Sequence, residues 1–373
     1  MTLDITILAD VVDNFGDIGV AWRLCRHLLK GESTKDKIKI RLVTNNLNSF
    51  HNINSQINPK LSFQRCTCEN ESIEVYDWTN YDFCYQTFTE NPPVIILELF
   101  QCGQPEWLEK ILFEDRVNHI VNIIMIDYLS AENWVDDFHC LKSLTRTALV
   151  PKVNFMPGFS PKTGGLLLSP EMNFSTLSEN KKNVTNSLFF AYERNWSPVI
   201  RAMNRVFTEN TELKVAGGAG QKSIIEACIK EKAVFKTEEL TFMNQENWDQ
   251  MMRETDFMII RGEDSMAQAC CIGIPFIWQA YPQKEDYQSV KVEALLNQMR
   301  PFFGPNFSLV ECAWKEMNNY GENDKELENT FFDFLKNLNY LKNGFRKFSE
   351  SLHKNGDLAD NLMTFISKSI KIE

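Results

Sequence analysis

Short aliphatic runs alternate with stretches of helical periodicity along this chain, and the alternation stops mid-chain and starts again. Asp4–Ala9 (DITILA), Ile38–Thr44 (IKIRLVT), Ile73–Tyr76, Val94–Leu99 (VIILEL) and Ile120–Ile126 are strand-length and rich in branched residues. Between them, Ile18–Lys30 sets Ala21, Trp22, Cys25, Leu28 and Leu29 at helical spacing, and Pro105–Phe113 also reads as helix. Strands that are apolar on both faces and joined by helices predict a parallel sheet covered on both sides. Lys152–Pro170 then breaks the pattern with Pro157, Gly158, Pro161, Gly164, Gly165 and Pro170, and the polar Glu179–Ser187 reads as an inter-domain linker.

After the interruption the pattern restarts. Leu188–Tyr192 (LFFAY), Leu213–Ala216, Asp256–Ile260 (DFMII) and Pro275–Trp278 are predicted strands. Pro198–Phe207, Lys222–Glu231 and Asp264–Ile272 are the helices among them. Ser289–Gln298, Lys325–Leu338, Gly344–His353 and Leu358–Ile370 make the last part helical. At 373 residues the chain is long enough for two domains. The expectation is an α/β protein of two Rossmann-like lobes with a cleft between them.

Charge narrows what such a protein binds. Asp plus Glu number 50 against 39 Lys plus Arg, a net charge of −11, which disfavours a dedicated nucleic-acid binder. Asp4, Asp10 and Asp13 interrupt any apolar core near the N-terminus, so no signal peptide is expected. The greasiest stretches fall far short of the ~20 residues that a membrane helix needs. With ten cysteines, no CxxC pair and five scattered histidines, free thiols in the cytoplasm are expected, with no metal and no disulfide framework.

Two strand–loop–helix junctions carry the chemistry. The first runs Asp10-Val11-Val12-Asp13-Asn14-Phe15-Gly16-Asp17-Ile18-Gly19 and lacks the GxGxxG that closes on a pyrophosphate. Three aspartates there repel phosphate and suit a cationic group, or a carboxylate placed to accept a proton. Asp13 or Asp17 capping the helix is the plainer alternative. The second junction, Arg261-Gly262-Glu263-Asp264-Ser265, suits a phosphate: Gly262 allows close approach, Ser265 adds a hydroxyl, Arg261 adds charge and first-turn amides point outward. Glu263 is ill-suited to phosphate and is expected to face a sugar hydroxyl or the reacting centre. A helix whose first-turn acids answer the macrodipole is the alternative. Phe190 and Tyr192, on one face of the strand LFFAY, would sandwich a base with Phe242 and Gln245, unless they are plain core. Gly217-Gly218-Ala219-Gly220 reads as a turn.

VVDNFGDIGVAWRL (11–24), DYLSAENW (127–134), FMPGFSPKTGG (155–165), RGEDS (261–265) and YPQKEDYQSVKVEALL (281–296), in this order, resemble the bacterial protein-arginine rhamnosyltransferases that modify translation elongation factor P. Asn45–Asn70 and Asn306–Asn323 match poorly. The resemblance implies a GT-B fold: a first, acceptor-side lobe over residues 1–180, a nucleotide-sugar lobe over 187–354, and a C-terminal helix, 355–373, crossing back onto the first. The implied donor is dTDP-β-L-rhamnose and the implied acceptor an arginine guanidinium of elongation factor P, which the modification readies for rescue of stalled ribosomes. Inversion at the anomeric carbon without a metal or cofactor is implied as well. Asp17 matches the general base, Asp13 the guanidinium orienter and Glu263 an essential glutamate, with the order of the aspartates' roles open. Phe190, Tyr192, Phe242 and Gln245 match the thymine site, and Arg261, Gly262, Asp264 and Ser265 the diphosphate turn. Phe15 and Gly16 would touch the donor across the cleft.

Three other readings compete. A GT-B enzyme acting on a lipid or small molecule would call for a membrane-docking stretch, and none is evident. An NAD-dependent oxidoreductase would call for GxGxxG. A non-catalytic binder of an arginine-bearing protein would use the acidic loop for affinity alone.

Overall fold

The computed structural model describes residues 3–13, 15–31, 38–115, 117–169, 186–283, 286–321 and 323–369. The chain divides into two compact units, residues 1–167 with 355–373, and residues 168–354. Most of the expected linker Glu179–Ser187 lies outside the described residues; Asn186 and Ser187 open a strand.

The first unit runs β1 (Leu3–Ala9), α1 (Gly16–Lys30), β2 (Ile38–Thr44), α2 (Leu47–Ile53), β3 (Phe63–Cys68), β4 (Glu71–Asp77), α3 (Tyr81–Glu90), β5 (Ile95–Leu99), α4 (Glu106–Glu109), β6 (Asn122–Ile126), α5 (Trp134–Phe138), β7 (Lys142–Ser143) and β8 (Lys152–Asn154). A π-helical turn, Lys110–Glu114, continues α4. The strands form one sheet in the order β3-β4-β2-β1-β5-β6-β8-β7. Its centre is parallel, as expected, but β3 and β7 are antiparallel edges. Alternation explains the two cores. Ile5, Ile7 and Ala9 of β1 and Ile95, Leu97 and Leu99 of β5 face α1, whereas Leu8 and Ile96 face the layer that holds Phe88, Trp107 and Leu108.

The Pro- and Gly-rich segment is no loose connector. Phe155, Met156, Phe159, Leu166 and Leu167 are buried, and Leu166 forms a bridge with Asp357. Asp357 leads into a helix at Leu358–Ser369, whose Leu358, Ala359, Leu362 and Ile366 lie in the core of the first unit. His27 Nδ1 of α1 lies 2.8 Å from Asp357 Oδ2 at the start of that helix.

The second unit runs β9 (Asn186–Phe190), α6 (Ser197–Asn204), β10 (Glu212–Val215), α7 (Gln221–Lys230), β11 (Lys236–Glu239), α8 (Gln245–Arg253), β12 (Phe257–Arg261), α9 (Glu263–Ile272) and β13 (Phe276–Gln279). Among the described residues four α-helices follow: α10 (Tyr287–Met299), α11 (Phe307–Asn318), α12 (Asp324–Lys336) and α13 (Leu338–Lys354). The Leu358–Ser369 helix is α14. The sheet is parallel, in the order β11-β10-β9-β12-β13. Among the described residues no helix is long and apolar enough to cross a membrane.

All ten cysteines are free. Burial pushes the thiols of Cys66 and Cys228 up to about 11 and those of Cys68, Cys84 and Cys102 up to about 12. These thiols stay protonated where an unfolded chain's cysteines, near pKa 8.5, ionise. As pH rises from about 8.5 towards 11 the unfolded chain therefore loses protons that the folded chain keeps, and stability falls. Iodoacetamide at pH 8 is expected to modify the exposed Cys140 and Cys312 first, and the other cysteines only once denaturant unfolds the protein. Peptide mass mapping checks the order.

Candidate active site

Among the parallel strands of each sheet the chain reverses its direction of winding once. From β1 it proceeds to β2 on one side, and from β5 to β6 on the other; in the second unit β9 leads one way to β10, and β12 the other way to β13. Ligands of open α/β sheets bind outside the carboxyl ends of the strands at such switch points. The two junctions singled out from sequence follow β1 and β12, so each lies at the switch point of its own sheet.

The loop after β1 is organised around Asp17. Its side chain is buried, and Oδ2 accepts the backbone N–H of Val12 and of Asp13, both at 2.9 Å. Tyr128, just past β6, presents its hydroxyl to Oδ1 at 3.4 Å. The helix-capping account does not describe Asp17: Phe15 is the N-cap of α1, without a side-chain cap bond, and the Asp17 carboxylate closes the loop before it. Asp13 is exposed, and its carboxylate lies so near Gly16 that a Cβ there would come within 2.8 Å of Oδ2. Asp10 accepts from Asn45 Nδ2, and Asn45 Oδ1 takes the N–H of Val11 at 2.8 Å, which fastens the loop to the end of β2. The half-exposed Phe15 completes the group. Asp13, Phe15, Gly16 and Asp17 thus lie together where the loop after β1 enters α1.

At the second switch point Arg261 is the last residue of β12, and its guanidinium lies 4.6 Å from the Phe190 ring and 4.7 Å from the Tyr192 ring. Cation–π contact of this kind is worth about 0.5–2 kcal/mol. Phe190 and Tyr192 do not share a strand face, contrary to the sequence reading. β9 ends at Phe190; beyond it Ala191 O accepts from Gly220, and Tyr192 N donates to the Gln279 side chain at 2.6 Å, so the backbone has left the ladder. The two rings meet on Arg261 all the same. The GGAG turn also gains a partner: Gly218, at φ +139°, leaves room for Arg261 Nη2, which a Cβ would approach to 2.7 Å. Among the described residues Arg261 Nε is buried without a hydrogen-bond partner.

Gly262 caps α9 at φ +78° and ψ 155°, a region nearly closed to residues with a side chain. Glu263 and Asp264 follow in the first helical turn, and Lys291 of α10 reaches Glu263 Oε1 at 3.1 Å. Ser265 Oγ accepts from Trp248 Nε1 at 3.2 Å, and that indole packs edge-on against Phe190 at 5.2 Å. Gln245 opens α8, the helix that carries Trp248, and the largely exposed Phe242 precedes it. Tyr128, Lys291 and Trp248 were not among the residues expected from sequence. Tyr128 lies in one of the matched segments, and its approach to Asp17 depends on the adjacency of β1, β5 and β6.

Two doubly wound units, each with its junction at the switch point of its own sheet, make a GT-B fold. A solved structure described as the structural basis for EarP-mediated arginine glycosylation of translation elongation factor EF-P matches 99% of this chain and 99% of its own, with a TM-score of 0.59 and 17% identity. A Listeria monocytogenes protein solved as a candidate UDP-N-acetylglucosamine 2-epimerase shares the fold at a TM-score of 0.54 and 13% identity, over 99% of this chain and 96% of its own.

The chain belongs to the family described as Elongation-Factor P (EF-P) rhamnosyltransferase EarP, which matches residues 5–367. The protein-arginine rhamnosyltransferase of Shewanella oneidensis is 28% identical over 97% of this chain and 97% of its own length. That of Neisseria meningitidis serogroup B is 26% identical over 98% and 97%, and that of Pseudomonas aeruginosa 28% identical over 78% and 80%.

Proposed function

We propose that the protein transfers L-rhamnose from dTDP-β-L-rhamnose to the guanidinium of one arginine of translation elongation factor P, with inversion at the anomeric carbon. The observation that carries this reading is the Asp17 carboxylate, buried and fixed by two backbone N–H groups at the switch point of the first sheet, with Asp13 beside it. An arginine guanidinium is a poor nucleophile, protonated below about pH 12 and delocalised. Carboxylates answer both obstacles: one holds the planar fork, and the other accepts a proton as the nitrogen bonds.

In this scheme Asp13 orients the guanidinium and Asp17 is the base. An N–H bond of the arginine breaks, its proton passes to Asp17, and the nitrogen forms a bond to the anomeric carbon. The bond from that carbon to the diphosphate oxygen breaks on the opposite face, and its electron pair leaves with dTDP. The β-linked donor thereby gives an α-rhamnosyl arginine.

The second unit takes the donor. Arg261 and Ser265, with the amides of the first turn of α9, meet the charge that develops on the leaving diphosphate. The scheme therefore assigns no role to a metal or cofactor. Gly262 permits the close approach, Asp264 belongs to the same turn, and Phe190, Tyr192, Phe242 and Gln245 form the thymine site. Glu263 is assigned to a sugar or ribose hydroxyl or to placing the acceptor, and Lys291 orients it. Phe15 and Gly16 are assigned to the donor as well.

Intact-mass spectrometry tests the reading. Unmodified elongation factor P incubated with the protein and dTDP-β-L-rhamnose is expected to gain one deoxyhexose, and a variant with the acceptor arginine replaced by Lys is expected to gain none. No gain, with dTDP-rhamnose still bound, moves the acceptor elsewhere; no gain and no binding overturns the reading.

A further inference from the structure

We infer that Tyr128 is a positioning residue for the transfer, holding the Asp17 carboxylate in the orientation that accepts the proton. The inference rests on the proposal that Asp17 is the base. Of the two carboxylate oxygens, Oδ2 takes two backbone N–H groups at 2.9 Å and Oδ1 faces the Tyr128 hydroxyl at 3.4 Å. The less heavily engaged oxygen, Oδ1, is the one that takes the proton: the acceptor's N–H bond breaks, an Oδ1–H bond forms, and the nitrogen keeps the electron pair with which it bonds to carbon. A hydrogen bond that is long before substrate binds often tightens in the reacting complex.

Tyr128 is itself held by an unusual piece of backbone. Just past β5, Phe100 and Gln101 adopt φ values of +58° and +56°, a left-handed conformation that side-chain-bearing residues seldom take, here twice in succession. What the turn secures lies beside Asp17. Phe100 N donates to Ile126 O at 2.8 Å, and the Phe100 ring stacks on that of Tyr128, with centroids 4.5 Å apart and planes 22° apart. Gln101 Nε2 donates to Asp127 Oδ2 at 2.6 Å, and Asp127 Oδ1 accepts the Tyr128 N–H at 2.8 Å. Backbone strain persists where surrounding structure over-determines it, and it gathers at functional sites. Here the strained turn, Asp127 and the stacked rings all bear on where one hydroxyl sits.

Steady-state kinetics of Tyr128→Phe and Gln101→Gly test the inference. Tyr128→Phe keeps the ring and removes the hydroxyl; Gln101→Gly accepts positive φ without strain and removes the tie to Asp127. Each is expected to lower kcat about tenfold, with KM for donor and for acceptor changed less than about twofold. The double variant is expected to be no slower than the slower single, because both act through Asp17. Full kcat in Tyr128→Phe, or losses that multiply in the double variant, overturns the inference. Asp17→Asn, run alongside, separates the two claims. If it keeps turnover, the base assignment fails; if it is inactive while Tyr128→Phe is fully active, only the role of Tyr128 fails.

Discussion

Asp17→Asn is expected to lower turnover by about 10²–10⁴-fold while leaving dTDP affinity within about twofold. The substitution is conservative in shape. An amide oxygen in place of Oδ2 can still accept the N–H groups of Val12 and Asp13, so the loop after β1 keeps its closure. What is lost is the capacity to take a proton, because an amide is a far weaker base than a carboxylate. Single-turnover rates by intact mass, with calorimetry of dTDP binding to the same preparation, measure both quantities. A protein that merely binds an arginine-bearing partner would lose affinity for that partner and show no turnover to lose. Retained turnover in Asp17→Asn would remove Asp17 from the chemistry.

Lys152→Met is expected to destabilise the first unit by about 3–5 kcal/mol, the cost of leaving a buried charge without its partner. Glu98 of β5 is 1% exposed, and Lys152 Nζ of β8 lies 2.8 and 2.9 Å from its two oxygens. Gln104 also donates to Glu98, which keeps one hydrogen bond after the substitution and places the loss towards the lower end. Against a total stability of about 5–15 kcal/mol, that is a large fraction. Adding Glu98→Gln is expected to restore most of it, since a neutral amide costs less to bury than an unpaired carboxylate. Urea unfolding of the two single variants and the double measures the coupling. Equal midpoints for Lys152→Met and the parent would show that the carboxylate does not depend on its lysine.

The central strands were legible because their chemistry leaves little choice. β1 and β5 are aliphatic on both faces, and a segment of that kind is stable only between two layers. β3 (FQRCTC) was not expected: Gln64, Cys66 and Cys68 turn inward and alternate with polar residues, which gives no aliphatic run to find. β11 (KTEE) is exposed throughout and owes its place to backbone pairing with β10. Neither α8 nor α11 was expected. The first is polar along most of its length, whereas the second carries a readable stripe of Phe307, Val310, Ala313, Trp314 and Met317. At the site, the crowding of aspartates after β1 and the RGEDS turn stood out because their charges suit opposite ligands. The hydroxyl facing Asp17 did not, since Tyr128 is 111 residues away in sequence and arrives only through strand order. The shared face assigned to Phe190 and Tyr192 depended on the strand continuing two residues past its end.

The helix Leu358–Ser369 has a consequence for how the protein is made. Its four buried apolar side chains fill the core formed by β1, α1 and β5, segments that leave the ribosome more than two hundred residues earlier. Synthesis at about 5–20 residues per second then leaves the early sheet without this cover for ten seconds or more. The second unit, residues 168–354, is encoded within that interval, so it can fold while the first still waits. A ribosome that stops short of Leu358 would release a chain with one sound unit and one exposed sheet face, the state that chaperones and proteases recognise.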